Sequence, residues 1–221
     1  MATMVNNSQK RPANSQRDPE WTKGRLLDAA RDEFADKGLS GARVNTIAAE
    51  AGVNKQLLYY YFGDKDGLYS EVLKRSHAEI RTGEQKLKLE SFPPEEAMTR
   101  FIEFSFDHMV AHQHFVALLG DENTHKARHV KQSGQLIGMH ERLEKTIGGM
   151  LSRGRESGIF KRDVDPVELY ISIASLCFFY HSNKHTLSTI FDRDVTGDEE
   201  IARRRTHVVD ILMSYLRSDP V

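Results

Sequence analysis

Residues 43–65, RVNTIAAEAGVNKQLLYYYFGDK, restrict the folds open to this chain more than any other stretch. Val44, Ile47, Ala48 and Ala51 fall at i, i+3, i+4 and i+7, the apolar stripe of a short helix. Gly52 is placed to end that helix, because the residue just past a helix end often takes the left-handed conformation that glycine tolerates best. Asn54 suits the cap of a second helix, whose inner face carries Leu58 and Phe62 one turn apart. Two short helices joined by a glycine-containing turn form a helix-turn-helix, and the second helix of such a unit enters the DNA major groove. The expectation is a chain that reads DNA sequence.

The remaining punctuation is helical throughout. Asp18-Pro19-Glu20 places a capping acid, a proline and a first-turn acid at one helix start, and Leu26, Leu27, Ala30 and Phe34 continue it to Gly38. Gly63-Asp64-Lys65 breaks the chain again, with Asp64 as cap of a long helix carrying Leu68, Val72 and Leu73. Phe92-Pro93-Pro94-Glu95 marks the next boundary. Gly120-Asp121 interrupts the following pattern. A long segment from about Lys126 to Gly154 then spaces Leu136, Met139, Leu143, Ile147 and Leu151 by three and four. Asp165-Pro166-Val167-Glu168 repeats the start signal, and Thr196 with Glu199 matches the capping box of a final helix ending near Leu216. No stretch sustains period-two alternation. The fold class expected is all-α with about nine helices. A three-helix DNA-binding domain over 18–64 would precede a larger ligand-binding and dimerisation domain over 65–221.

Residues 1–17 are polar and basic with little to bury, and read as a disordered tail. Lys10, Arg11 and Arg17 could follow a phosphate backbone, or the tail could simply be solvated. A formal net charge of −1 makes global electrostatics uninformative about nucleic acid, so phosphate binding rests on locally placed groups. No apolar run approaches bilayer length, and the N-terminus has no signal-peptide core. The single cysteine, Cys177, excludes an internal disulfide, and a cytoplasmic location is expected.

Ile47-Ala48, Ala51-Gly52-Val53, Lys55, Leu58-Tyr59-Tyr60, Phe62, Lys65 and Leu68-Tyr69 at these spacings resemble the TetR family of transcriptional regulators, most strongly from about Leu26 to Leu73. The resemblance implies a homodimer on a two-fold operator, usually a repressor released by a small molecule. Helix geometry assigns the contacts. With Leu58 and Phe62 turned inward, Gln56 and Tyr60 point outward; Gln56 can bind adenine bidentately and Leu57 can touch a thymine methyl. Tyr59, Tyr60 and Tyr61 offer hydroxyls to phosphates, although Tyr61 suits core packing equally well. Lys55 and Lys65 suit phosphate contacts that set register. Arg43, Asn45, Thr46 and Asn54 complete the expected DNA-binding set. Arg43 stands where family members commonly carry a capping Ser or Thr, and Tyr61 where they frequently carry histidine.

In the C-terminal half, residues 169–180, LYISIASLCFFY, are apolar on every side of a helix and need cover on every side. A dimer interface is therefore expected on this helix and the last one, at Leu169, Ile173, Leu176, Tyr180, Ile201, Val208, Ile211, Leu212 and Tyr215; the alternative is a wholly internal helix. Phe101, Phe104, His108, Met109, Phe115, Met139, Leu143, Cys177, Phe178 and His181 could line an effector cavity or be plain core. His108 or His181 would be its polar anchor. His108/His112, His125/His129 and His181/His185 are spaced i, i+4, a chelating arrangement, yet each lacks a third ligand nearby in sequence. No metal or other cofactor is expected. Cys177 with His181 resembles a nucleophile and base, but a thiol in so apolar a helix should be inert. No glycine-rich phosphate loop or strongly spaced ligand cluster supports an enzyme. An activator of the same fold stays open beside a repressor.

Overall fold

The structure, a computed structural model, describes residues 18–220; the expected tail, with Lys10, Arg11 and Arg17, lies outside them. The described residues are all-helical and fall into two compact units, one up to Val72 and one from Leu73 on.

The first unit holds α1 (Pro19–Gly41), α2 (Val44–Ala51), α3 (Lys55–Phe62) and the start of α4 (Lys65–Lys86). Asp18 caps α1 by accepting the Glu20 N–H at 3.0 Å. Gly38 (φ 65, ψ 171) breaks the helical path, leaving one further turn up to Gly41. Gly52 takes the left-handed conformation (φ 68, ψ 32), so the chain leaves α2 sharply and α3 can begin three residues later. Leu26, Ala30, Phe34, Ile47, Ala51, Leu58 and Leu68 are buried, and the Phe34 ring meets Tyr69 edge-on at 5.0 Å.

The second unit contains the rest of α4, a 3-10 turn (Leu89–Ser91), α5 (Pro94–Ala111), α6 (Gln113–Thr124), α7 (Arg128–Lys131), α8 (Gly134–Glu156), α9 (Pro166–Ser182), α10 (Lys184–Ile190) and α11 (Asp198–Arg217). Eleven helices among the described residues replace the nine expected. The additional short helices α7 and α10 hold too few residues to display an apolar period. Gly120-Asp121 does not interrupt; α6 runs through it, and the break falls earlier, at His112. The segment expected to start near Lys126 instead restarts at Ser133, whose hydroxyl accepts the Leu136 N–H at 3.3 Å. The capping box at Thr196 is also replaced. The cap of α11 is Gly197, without a side-chain hydrogen bond, while the Thr196 hydroxyl donates to Asp194 Oδ1 at 2.6 Å.

Helix α9 is the hub, packed by α5, α6, α8, α10 and α11, with Leu169, Ile173, Cys177, Tyr180 and His181 buried. Gly154 admits the Phe160 ring so closely that a Cβ there would lie 1.9 Å from Phe160 Cδ2. Arg153 donates to the carbonyls of Leu89, Glu90 and Phe92 at 2.9–3.2 Å, fixing the 3-10 turn to α8. The Glu122 carboxylate, buried at the end of α6, accepts the His129 N–H at 2.8 Å and His129 Nδ1 at 2.7 Å, which holds α7 in place.

Candidate nucleic-acid interface and effector cavity

Helix α3 is set by its cap and its one fully buried side chain. Asn54 Oδ1 accepts the Gln56 N–H at 2.9 Å, and Leu58 is 0% exposed. On a 3.6-residue period those two constraints turn the opposite side outward. Lys55 and Gln56 are exposed, Tyr60 is 79% exposed and Tyr59 49%. Leu57 sits at the edge of this face at 36%. Tyr61 and Phe62 are half-buried; the Tyr61 ring lies edge-on to Tyr60 at 5.1 Å, and Lys23 Nζ stands 5.6 Å from its centroid. The result is a short helix with a continuous outward face of amide, hydroxyl and ammonium groups, able to enter a groove.

Side-chain hydrogen bonds to the backbone hold both ends of the preceding helix, α2. Arg43 is exposed; its side chain does not cap α2, and its backbone N–H donates to Glu33 Oε1 at 3.0 Å instead. Asn45 is exposed and Thr46 half-buried on the first turn of α2. Lys65 is half-buried, donating from Nζ to the Ala42 carbonyl at 3.2 Å and the Ser40 carbonyl at 3.5 Å, so its amino group fixes the turn into α2. Arg25 reaches the Ala51 and Glu50 carbonyls at 3.4 and 3.3 Å and closes the other end of that helix. Arg25 and Glu33 were not expected here. Their partners lie 26 and 10 residues away, so no local pattern announces them.

In the second unit a cavity of about 250 Å³ lies among α4, α5, α6, α8 and α9. Four of the ten residues expected around an effector, Met109, Phe115, Cys177 and Phe178, line it, together with the unforeseen His77, Arg81, Glu84, His140 and Tyr170. Phe101, Met139 and Leu143 line a neighbouring hollow of about 340 Å³, which also touches Arg81 and Glu84. Phe104 packs instead over Gly83, where a Cβ would stand 2.4 Å from its ring. His108 stacks on His112 at 4.0 Å and meets Phe115 edge-on, and His181 lies against Phe106 at 4.9 Å. Burial holds the imidazoles of His108 and His181 down to about 4, and that of His77 to about 3. All three are neutral at pH 7.

Histidines of two of the three pairs have structural partners. His129 is held by Glu122, His125 Nδ1 donates to the Asp121 carbonyl at 2.9 Å, and His112 Nδ1 donates to the His108 carbonyl at 3.0 Å. Among the described residues no three His, Cys, Asp or Glu side chains gather as a metal would need. Burial pushes the Cys177 thiol up to about 12, so thiolate is scarce at neutral pH. No helix among the described residues is long and apolar enough to cross a membrane.

The residues expected at a dimer interface divide by exposure. Leu169, Ile173, Tyr180, Val208 and Leu212 are buried within the single chain, and Leu176 and Ile201 are half-buried. Ile211 and Tyr215 on α11 are exposed at 41% and 46%, and Val167, Ile171 and Phe179 on α9 are exposed too. Because α9 is apolar all round, its sequence alone could not separate the inward side from the outward one.

A helix-turn-helix with an exposed polar reading helix, joined to a helical unit enclosing a small cavity, defines a DNA-binding transcriptional regulator. A family model described as "Bacterial regulatory proteins, tetR family" matches residues 26–72, and one described as "Tetracyclin repressor-like, C-terminal domain" matches residues 94–212. The chain is 33% identical over 196 residues to the HTH-type transcriptional repressor NicS of Pseudomonas putida, covering 89% of this chain and 92% of that protein. It therefore belongs to the TetR family of transcriptional repressors. In fold it is similar to the ketosteroid transcriptional regulator KstR2 of Mycobacterium tuberculosis, with TM-score 0.65, 21% identity and coverage of 89% of this chain and 95% of that one. It is likewise similar to FadR of Bacillus subtilis, solved in complex with stearoyl-CoA, with TM-score 0.61, 18% identity and coverage of 87% and 98%.

Proposed function

We infer that this chain represses transcription as a homodimer on a two-fold operator and is released by a small effector bound in its second unit. The observation that carries the reading is the face of α3, where Gln56, Tyr59 and Tyr60 are exposed over a fully buried Leu58. Gln56 supplies base readout, Leu57 an apolar contact to a thymine methyl, and Lys55 with the tyrosine hydroxyls the phosphate contacts. Asn54 offers its cap of α3, and Arg43, Asn45 and Thr46 offer the first turn of α2.

Val167, Ile171, Phe179, Ile211 and Tyr215 support the homodimer: a soluble chain gains by covering such a face, and a C2 contact places the same patch on both copies. That symmetry would hold two reading helices one DNA turn, about 34–36 Å, apart. An open hollow of about 610 Å³ beside Phe179, Phe191 and Arg203 borders the same patch. Release follows if the effector prefers a conformation in which the two reading helices no longer match successive grooves, and the shift can be no larger than that preference. Helix α4, which begins before Val72 and ends beyond it, would carry the change. Footprinting on the DNA flanking the chain's own coding region tests the reading. Protection of two symmetric half-sites one turn apart is expected; uniform protection without a preferred site would overturn it.

A further inference from the structure

Among the described residues Arg81 is the one guanidinium that lines the cavity of about 250 Å³. It is 9% exposed, and its Nε is buried without a hydrogen-bond partner among the described residues. Its companion is Glu84 one turn on, with Oε2 3.0 Å from Nη1, each side chain 10% exposed. That contact has ion-pair distance but lacks hydrogen-bond geometry, since Nη1 also counts as unpartnered. A guanidinium has five N–H donors in a rigid fork, and leaving them unpaired in the interior is costly. The His77 ring, 5% exposed, stands on the same helix with Nδ1 unpartnered, edge-on to Phe115 at 5.3 Å and His140 at 5.6 Å. Three unsatisfied buried nitrogens thus belong to two residues of one helix that line a space walled also by Met109, Phe115, Tyr170 and Phe178, with Ser105, Asn123 and His140 as further polar lining.

We propose that this cavity binds a small monocarboxylate with a compact apolar body, its carboxylate forked onto Arg81 and its body held by Phe115, Tyr170 and Phe178. The inference rests on the effector reading above and names the effector's class. A planar carboxylate matches two parallel guanidinium N–H groups, whereas phosphate would bring more charge than one arginine offsets. His77 adds an N–H or a lone pair without adding charge, because burial keeps its ring neutral. Glu84 is the group the ligand displaces. Its carboxyl is desolvated and held up at about 7, so it is a poorly stabilised anion that yields its place beside Arg81. At about 250 Å³ the cavity suits a small body, and the hollow of about 340 Å³ that shares Arg81 and Glu84 adjoins it.

Isothermal titration of the full chain with benzoate, cyclohexanecarboxylate, benzamide, phenyl phosphate and stearate provides the test. Both small carboxylates should bind, benzamide at least about tenfold more weakly because it lacks the charge-assisted pair. Arg81→Gln should lose about tenfold or more in benzoate affinity. Glu84→Gln, which removes the competing anion and a buried charge, should bind benzoate more tightly than the parent; it keeps the test decisive if Arg81→Gln folds poorly. Equal binding of benzamide, preference for phenyl phosphate or stearate, weaker binding by Glu84→Gln, or no heat with either carboxylate at millimolar concentration would each overturn the proposal. The same ligands added to protein–DNA complexes separate the two readings. Carboxylates that bind but leave DNA held sustain this site and refute release; release by another metabolite with no carboxylate binding does the reverse.

Discussion

Gln56 and Lys55 are neighbours with different expected duties, and mutation separates them. Gln56→Ala should relax base preference at one operator position per half-site, costing about 1–3 kcal/mol there and little on unrelated DNA. Lys55→Ala should weaken every duplex about equally and flatten the salt dependence by about one ion per head, measured as the slope of log affinity against log salt. Lys65, whose amino group holds the Ala42 and Ser40 carbonyls, should reveal itself in stability as well as in DNA binding. The outward placement of Gln56 and Lys55 and the burial of Leu58 were legible in the sequence because a capping asparagine and one inward leucine fix the phase of an eight-residue helix. Arg25, Glu33, Arg81 and Glu84 were not, because their meaning lies in partners or cavities that exist only once distant helices pack.

At the level of elements, the short helices depend on buried polar clamps rather than on their own propensity. Removing one side of the Glu122–His129 pair leaves a buried charge or donor unpaired. Glu122→Ala should therefore leave the His129 N–H and Nδ1 buried without an acceptor and cost about 1–3 kcal/mol for each in chemical denaturation, more than loss of an exposed pair such as Lys23–Glu20. The buried histidines give a pH signature. His77, His108 and His181 titrate at about 3, 4 and 4 in the folded chain but near 6.5 when unfolded, so between those values the unfolded state binds more protons. Stability present above pH 6.5 should be lost progressively as pH falls toward 4. Glu84, raised to about 7, works in the opposite sense, adding stability as pH falls from 7 toward 4.5, but it is one group against three. Denaturant midpoints that stay constant from pH 7.5 to 5 would refute this assignment. Helix count was the least legible feature at this scale: α7 and α10, with four and seven residues, are too short to carry a periodic signal.

For the whole molecule, the proposed function calls on two faces of one chain: the outward face of α3, and the exposed apolar residues of α9 and α11. Phe179→Asp with Ile211→Asp should yield monomers in analytical ultracentrifugation at concentrations where the parent is dimeric, with the helical content of the parent. Both side chains are exposed, so the pair should leave the core intact. Operator affinity should fall steeply, because two linked heads gain from high effective concentration that single heads lack. That α9 would need cover on several sides was legible in its apolarity; which side faces outward was not, since its core-facing and outward residues are chemically alike. Selection of bound sequences from random duplex DNA, run in parallel on the parent and Gln56→Ala, tests the central claim most directly. A two-fold motif with half-sites about one helical turn apart is expected for the parent, with one symmetric pair of positions losing its preference in the variant. No enriched motif, or the same motif at the same strength from both proteins, would contradict it.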